Sequence, residues 1–140
     1  MNKILLDTDV ILDFFFDRKP FSDDTALILR RCELKEIGGY VTPVIISNLY
    51  YLLRKNNTSA KVIGKLKELL TILDVLIMDR EIIMEALYSP FNDFEDALQN
   101  FSAVKDEKIE GIITRNIKDY KHSLLPVYTP ESYIRRKGFS

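Results

Sequence analysis

The sequence predicts an α/β fold with a mostly parallel central sheet of four to five strands and helices on both faces. Three observations carry that expectation. Short apolar runs of strand length alternate with longer segments of helical pattern along the whole chain, the signature of strands joined by helical crossovers. The first run, Ile4-Leu5-Leu6, is apolar without alternation, as in a strand covered on both sides. At 140 residues, 46% of them hydrophobic, the chain suffices for one core and one domain spanning 1–140.

Taken in order, Lys3 to Leu6 is the first strand and the apolar run Val10 to Phe16 follows it. A helix is predicted from Ser22, a good N-cap, to Ile37, with Gly38-Gly39 as its stop. Tyr40-Val41-Thr42 is a second short strand, and Pro43 suits the first position of the next helix, VIISNLYYLLRK. Asn56 to Ser59 break that helix, and Ala60 to Leu73 form an amphipathic one. Asp74 to Met78 make a third strand and Arg80 to Tyr88 a helix. After Ser89-Pro90, DFEDALQNFSAVKDEK is helical, GIIT is a fourth strand, Val127-Tyr128 is the candidate fifth, and PESYIRRKG is a terminal helix.

Composition narrows the function classes. A formal net charge of −1 provides no global basic field for nucleic acid, which leaves a local patch as the route to such a partner. Cys32 is the single cysteine, so no internal disulfide exists and a reducing, cytoplasmic setting is expected. The N-terminal apolar run is too short for a signal peptide, and no segment has membrane-spanning length without charges.

In LLDTDV a buried strand ends abruptly on Asp7 and Asp9. Adjacent carboxylates repel, and desolvating them is costly, so something must compensate. In a parallel sheet every strand's C-terminal end lies on one edge. That edge gathers Asp7 after the first strand, Asn48 after the second, Asp93 and Asp96 at a helix start, and Asn116 and Asp119 after the fourth. Clustered oxygen donors suit Mg²⁺ or Mn²⁺. A metal held there can polarise a phosphoryl oxygen, activate water and steady a leaving group, as phosphodiester hydrolysis requires. Plainer roles compete: Asp93 and Asp96 as first-turn acids favoured by the helix dipole, Asp9 and Asp13 as solvated helix-start acids, Asp119 as a turn residue and His122 as a surface histidine.

ILLDTDVILDFF, VTPVIISNLYYLL, DFEDAL and IITRNIKDYKHSLLPVYTPESYI resemble, in order and spacing, the motifs of the PIN-domain family. The resemblance spans essentially the whole chain. It implies a three-layer α/β/α fold and a metal-dependent ribonuclease using Mg²⁺ or Mn²⁺. Many small members are the toxin halves of toxin–antitoxin pairs and homodimeric, which implies RNA, an antitoxin protein and a second copy as partners. Carried over by position, Asp7, Asp96 and Asp119 match the family's metal-binding and catalytic acids. Thr8, Asp93, Thr114 and Asn116 take supporting places. Asn48 falls where the family commonly has Glu, a departure that removes a charge from the site.

Three other readings remain beside it. One is a catalytically degenerate PIN-like fold kept as an RNA- or protein-binding module, suggested by Asn48. The second is a haloacid dehalogenase-like phosphatase on DTDV, with Asp7 as nucleophile, Asp9 as acid/base and Lys118 or Lys121 on the phosphoryl group. The third is a phospho-receiver using Asp79. For an RNA backbone, the candidate patch is Arg54-Lys55, Lys61, Lys65, Arg115, Lys118, Lys121 and Arg135-Arg136-Lys137, with Arg115 favoured for phosphate.

Overall fold

The computed structural model describes residues 2–136. Lys137 of the basic patch and Gly138 at the end of the predicted terminal helix lie outside the described residues. Within them, five parallel strands form one sheet in the order β3-β2-β1-β4-β5, between helices on both faces. β1 (Asn2–Leu6) is central; Leu5 stands opposite Tyr40 of β2 (Ile37–Val41), and Leu6 opposite Ile113 of β4 (Gly111–Ile113). Ile4, Leu5 and Leu6 are all buried. Consecutive burial means both faces are covered, and each such side chain contributes roughly 2 kcal/mol of transfer free energy.

The chain runs from β1 outward to β2 and β3 (Asp74–Val75), then crosses back to β4 and β5 (Val127–Tyr128). The reversal falls between β1 and β4, where α/β sheets form a crevice at the strands' C-terminal ends.

The helices are α1 (Thr8–Phe15), α2 (Phe21–Glu33), α3 (Pro43–Arg54), α4 (Ser59–Ile72), α5 (Arg80–Leu87), α6 (Phe94–Lys105) and α7 (Pro130–Arg135). Side chains cap most of them. Thr42 accepts from the Ile45 N–H, Thr58 from Lys61, Asp79 from Ile82 and Asp93 from Asp96. Thr129 and Ser132 form a reciprocal capping box.

Several boundaries differ from the sequence expectation. Ser22 lies inside α2, its hydroxyl donating to Asp17 at 2.8 Å instead of capping. α2 ends at Glu33, and Lys35 turns the chain with φ 61. Gly38 and Gly39 are not a helix stop but part of β2. The reason is a close approach: a Cβ on Gly39 would lie 2.5 Å from Leu73 Cδ2 and 2.7 Å from Cys32 Sγ. Glycine here lets the ends of α2 and α4 settle on the sheet. β3 stops at Val75, with one further bond from the Leu76 N–H to Val41 O, and α6 ends at Lys105.

Candidate active site

Asp7 ends β1 and caps α1. Its backbone N–H donates to Ile113 O of β4 at 2.9 Å, which anchors it at the crevice. Its Oδ1 accepts from the Thr8 N–H at 2.8 Å, and its Oδ2 from the Thr114 hydroxyl at 3.0 Å. Burial pushes its pKa upward against those bonds, with repulsion from Asp119 adding to the rise.

Asp96, in the first turn of α6, faces the same space. Burial, then repulsion from Asp7, Asp93 and Asp119, pushes its pKa up to about 7. Asp9 is pushed up to about 6 by burial and by Asp7; its Oδ2 accepts from the Arg115 N–H at 3.3 Å. Its Oδ1 is buried without a hydrogen-bond partner. Asp119 arrives on the 3-10 turn Ile117–Tyr120, which Asn116 starts by accepting the Asp119 N–H at 3.0 Å. Asn116 in turn donates its own N–H to the Thr114 hydroxyl at 3.2 Å.

Together Asp7, Thr8, Asp9, Asn48, Asp93, Glu95, Asp96, Gln99, Asn116 and Asp119 line one cleft of about 490 Å³. Asp7, Asp96 and Asp119, far apart in sequence, meet there. Thr114 is fully buried beneath it. Arg115 does not line this cleft; it borders a neighbouring hollow with Phe21, Asn116 and Thr129. Lys118, Lys121 and His122 flank the acids at a second hollow that shares Asp93, Asp96 and Asp119.

The donor set suits a hard divalent cation: carboxylate and amide oxygens, an orphaned buried Oδ1 on Asp9, and carboxyl pKa values raised by burial and then by mutual repulsion. The acids line the cleft without closing into a cage, since among the described residues no three His, Cys, Asp or Glu side chains stand close enough to hold an ion together.

Four residues escaped the sequence reading. Glu95 accepts from the Asn48 side-chain amide at 2.9 Å, a pairing across two helices with no local signal. Gln99 accepts from the buried Thr42 hydroxyl. The buried Tyr120 hydroxyl stands against Asp7 and Asp96, outside good hydrogen-bond geometry to either; burial raises its pKa, so it stays protonated. It sits inside ITRNIKDY, where it was legible. Asp13, expected to be solvated, is fully buried. Its signal was an acid set in the apolar run VILDFFF.

Asp79, the receiver candidate, caps α5 and pairs with Lys105 at 3.0 Å, and it does not line the cleft. Among the described residues no helix is long and apolar enough to cross a membrane.

Comparison with known proteins agrees with this geometry. A family model described as a PIN domain matches residues 3–118, ending one position before Asp119. Ribonuclease VapC1 from Aquifex aeolicus (strain VF5) is 26% identical over 141 residues, covering 96% of this chain and 94% of that protein. Two solved structures share the fold, each at 15% identity. VapBC2 from Rickettsia felis, bound to a DNA fragment from their promoter, has a TM-score of 0.64 over 89% of this chain and 96% of that one. VapBC-1 from nontypeable Haemophilus influenzae has a TM-score of 0.67 over 92% and 98%. With the family model matched over most of its length and the acids gathered at the switch point of a five-stranded parallel sheet, the chain belongs to the PIN-domain family.

Proposed function

We propose that this chain is a divalent-metal-dependent ribonuclease, a single domain over 1–140 acting in the cytoplasm as the toxin of a toxin–antitoxin pair. The observation that carries the reading is the convergence of Asp7, Asp96 and Asp119 in one cleft, with Asp96 pushed up to about 7 by burial and then by its acidic neighbours. Groups that crowd negative charge in a cleft mark a functional site. Ribonuclease VapC1 as a relative and two VapBC complexes as structural neighbours support the toxin assignment, an antitoxin partner and RNA as substrate. Exposed Ile83, Leu87 and Tyr88 on and beside α5 are apolar surface suited to a homodimer.

Asp7, Asp96 and Asp119 would hold Mg²⁺ or Mn²⁺, which would supply charge neutralisation and Lewis acidity toward a phosphoryl oxygen. The chain's own groups do the rest. Thr8 and Thr114 hold the two oxygens of Asp7 in place. Asp93 fixes the first turn of α6, and so the aim of Asp96, through the Asp96 N–H. Asn116 starts the turn that delivers Asp119. Lys118 and Lys121 meet the RNA phosphates beside the acids. Asn48 brings a neutral amide where a carboxylate would add charge, so activity is weak and Mn²⁺-favoured.

Cleavage of a structured RNA panel with Mn²⁺, Mg²⁺ and chelator, using wild type and Asp7→Asn, tests this. Metal-dependent cleavage lost in Asp7→Asn is expected. Metal-free cleavage, or activity surviving Asp7→Asn, overturns it. A second reading, a binding module without catalysis, is favoured by the Asn48–Glu95 bond that occupies the cleft wall. RNA binding with no cleavage under any metal would select it.

A further inference from the structure

Asp13 is buried to 0% exposure within α1. Its Oδ2 pairs with Arg115 Nε at 2.7 Å, and Arg18 approaches its Oδ1 at 3.4 Å. Arg115 belongs to the segment that leaves β4 toward the 3-10 turn. Its guanidinium carbon lies 4.3 Å from the centroid of the Phe21 ring on α2, which covers it. The same residue's backbone N–H is bound by Asp9, and Thr114 before it donates to Asp7. Asp9 and Asp13 are one helical turn apart on α1, so they share a face. Successive residues of the β4 exit are therefore fastened along one side of the α1 start: Thr114 to Asp7, the Arg115 backbone to Asp9, and the Arg115 side chain to Asp13.

A carboxylate with no exposed surface is costly unless paired, and removing one partner strands the other. The Nε–Oδ2 contact is an ion pair by distance, both atoms being buried outside hydrogen-bond geometry. A planar guanidinium lying with its face on an aromatic ring beside a carboxylate is an arrangement that lysine cannot reproduce. Four residues beyond Arg115 stands Asp119. Where the segment is pinned therefore sets where Asp119 stands relative to Asp7.

We propose that the buried Asp13 and the half-buried Arg115 form a clasp that positions Asp119 against Asp7, with Arg115 acting through the loop and not by touching RNA phosphate. The clasp rests on the reading of the acid cleft as the catalytic centre, and it assigns Arg115 a different task from the phosphate contact its position in the sequence suggests.

The test compares wild type, Arg115→Lys and the neutral double variant Asp13→Asn/Arg115→Gln, each as the full chain. Three quantities are read: amide hydrogen exchange over residues 114–119 without metal, Mn²⁺ affinity by electron paramagnetic resonance, and kcat, KM and salt dependence on one RNA. In both variants exchange over 114–119 should quicken while the β1 amides stay protected. Mn²⁺ affinity should fall roughly tenfold, the scale at which groups behind metal ligands act. kcat should fall with KM and salt slope unchanged. Arg115→Lys keeps a cation and is the milder change, so it serves if the double variant does not fold. Wild-type behaviour of Arg115→Lys overturns the clasp, as does a raised KM and flattened salt slope with exchange and Mn²⁺ affinity unchanged. A lower melting temperature with no selective change over 114–119 also overturns it, leaving packing alone. If the wild type neither binds Mn²⁺ nor cuts RNA, the catalytic reading fails separately, and the exchange pattern still decides whether the clasp exists.

Discussion

Asn48 on α3 donates its side-chain amide to Glu95 on α6 at 2.9 Å, although 47 positions separate them. Both side chains line the acid cleft, so the neutral residue at position 48 stands beside a carboxylate that its own bond orients. That relationship decides what substitution there should do.

Asn48→Glu replaces the amide donor by a second carboxylate and adds a charge to the cleft. Mn²⁺ should bind more tightly, on the order of tenfold, with a matching rise in RNA cleavage. Without metal the variant should be less stable, because positions 48 and 95 then repel. Titration calorimetry and a cleavage time course check this. Strong wild-type cleavage that Asn48→Glu slows would show that the amide has a catalytic role of its own.

The raised carboxyls set the pH dependence. Asp96 stands at about 7 and Asp9 at about 6, both above the ordinary 3.8. The folded chain therefore holds protons that the unfolded chain has released between 3.8 and about 7. Their contribution to stability is present at the acid end of that window and is lost as pH rises through about 6 and then about 7. The metal-free melting temperature should fall across that range. Metal binding should run the other way, tightening with rising pH because the carboxyls must lose protons to bind. Millimolar Mn²⁺ should raise the melting temperature more at pH 8 than at pH 5.5, and a shift independent of pH would contradict this assignment.

Asp7→Asn separates stability from function. Burial disfavours the charged form of Asp7, so an amide of the same shape should leave the metal-free protein as stable as wild type, within about 1 kcal/mol, or more stable. Asn can still accept from the Thr8 N–H. RNA cleavage should drop below detection and the Mn²⁺-induced melting shift should shrink or vanish. A marked loss of metal-free stability would mean that the Asp7 charge is structural.

Gly39→Ala probes the sheet itself. The added Cβ meets Leu73 Cδ2 and Cys32 Sγ at under 3 Å, so α2 or α4 must shift. Overpacking of this kind costs about 1–3 kcal/mol. Urea denaturation should show that loss, whereas Gly64→Ala, with open space around the new Cβ, should cost nothing or stabilise the helix.

Much of this was legible along the chain because it depends on local patterns. Strand-length apolar runs between helical periods imply a parallel sheet, and a parallel sheet places every strand's exit on one edge. Asp7, Asp96 and Asp119 are therefore grouped by their places in the chain alone, after β1, at the start of α6 and after β4. The PIN-domain motifs are local too, and they sit at those same exits.

What the tertiary structure decided is everything that depends on approach distance between distant segments. Gly38-Gly39 reads locally as a helix stop, and it took the closeness of Leu73 and Cys32 to make it strand. Asp13 reads as a solvated helix acid, and Arg115 as a free cation at the site. Packing α2 over the β4 exit buries the first and presses the second between Asp13 and Phe21. Asn48 looked like a missing charge until α3 and α6 brought Glu95 to it. Periodicity and capping act over a few residues and are written in order along the chain. Burial, like-charge repulsion and ion pairing depend on distances in space, which no linear spacing records.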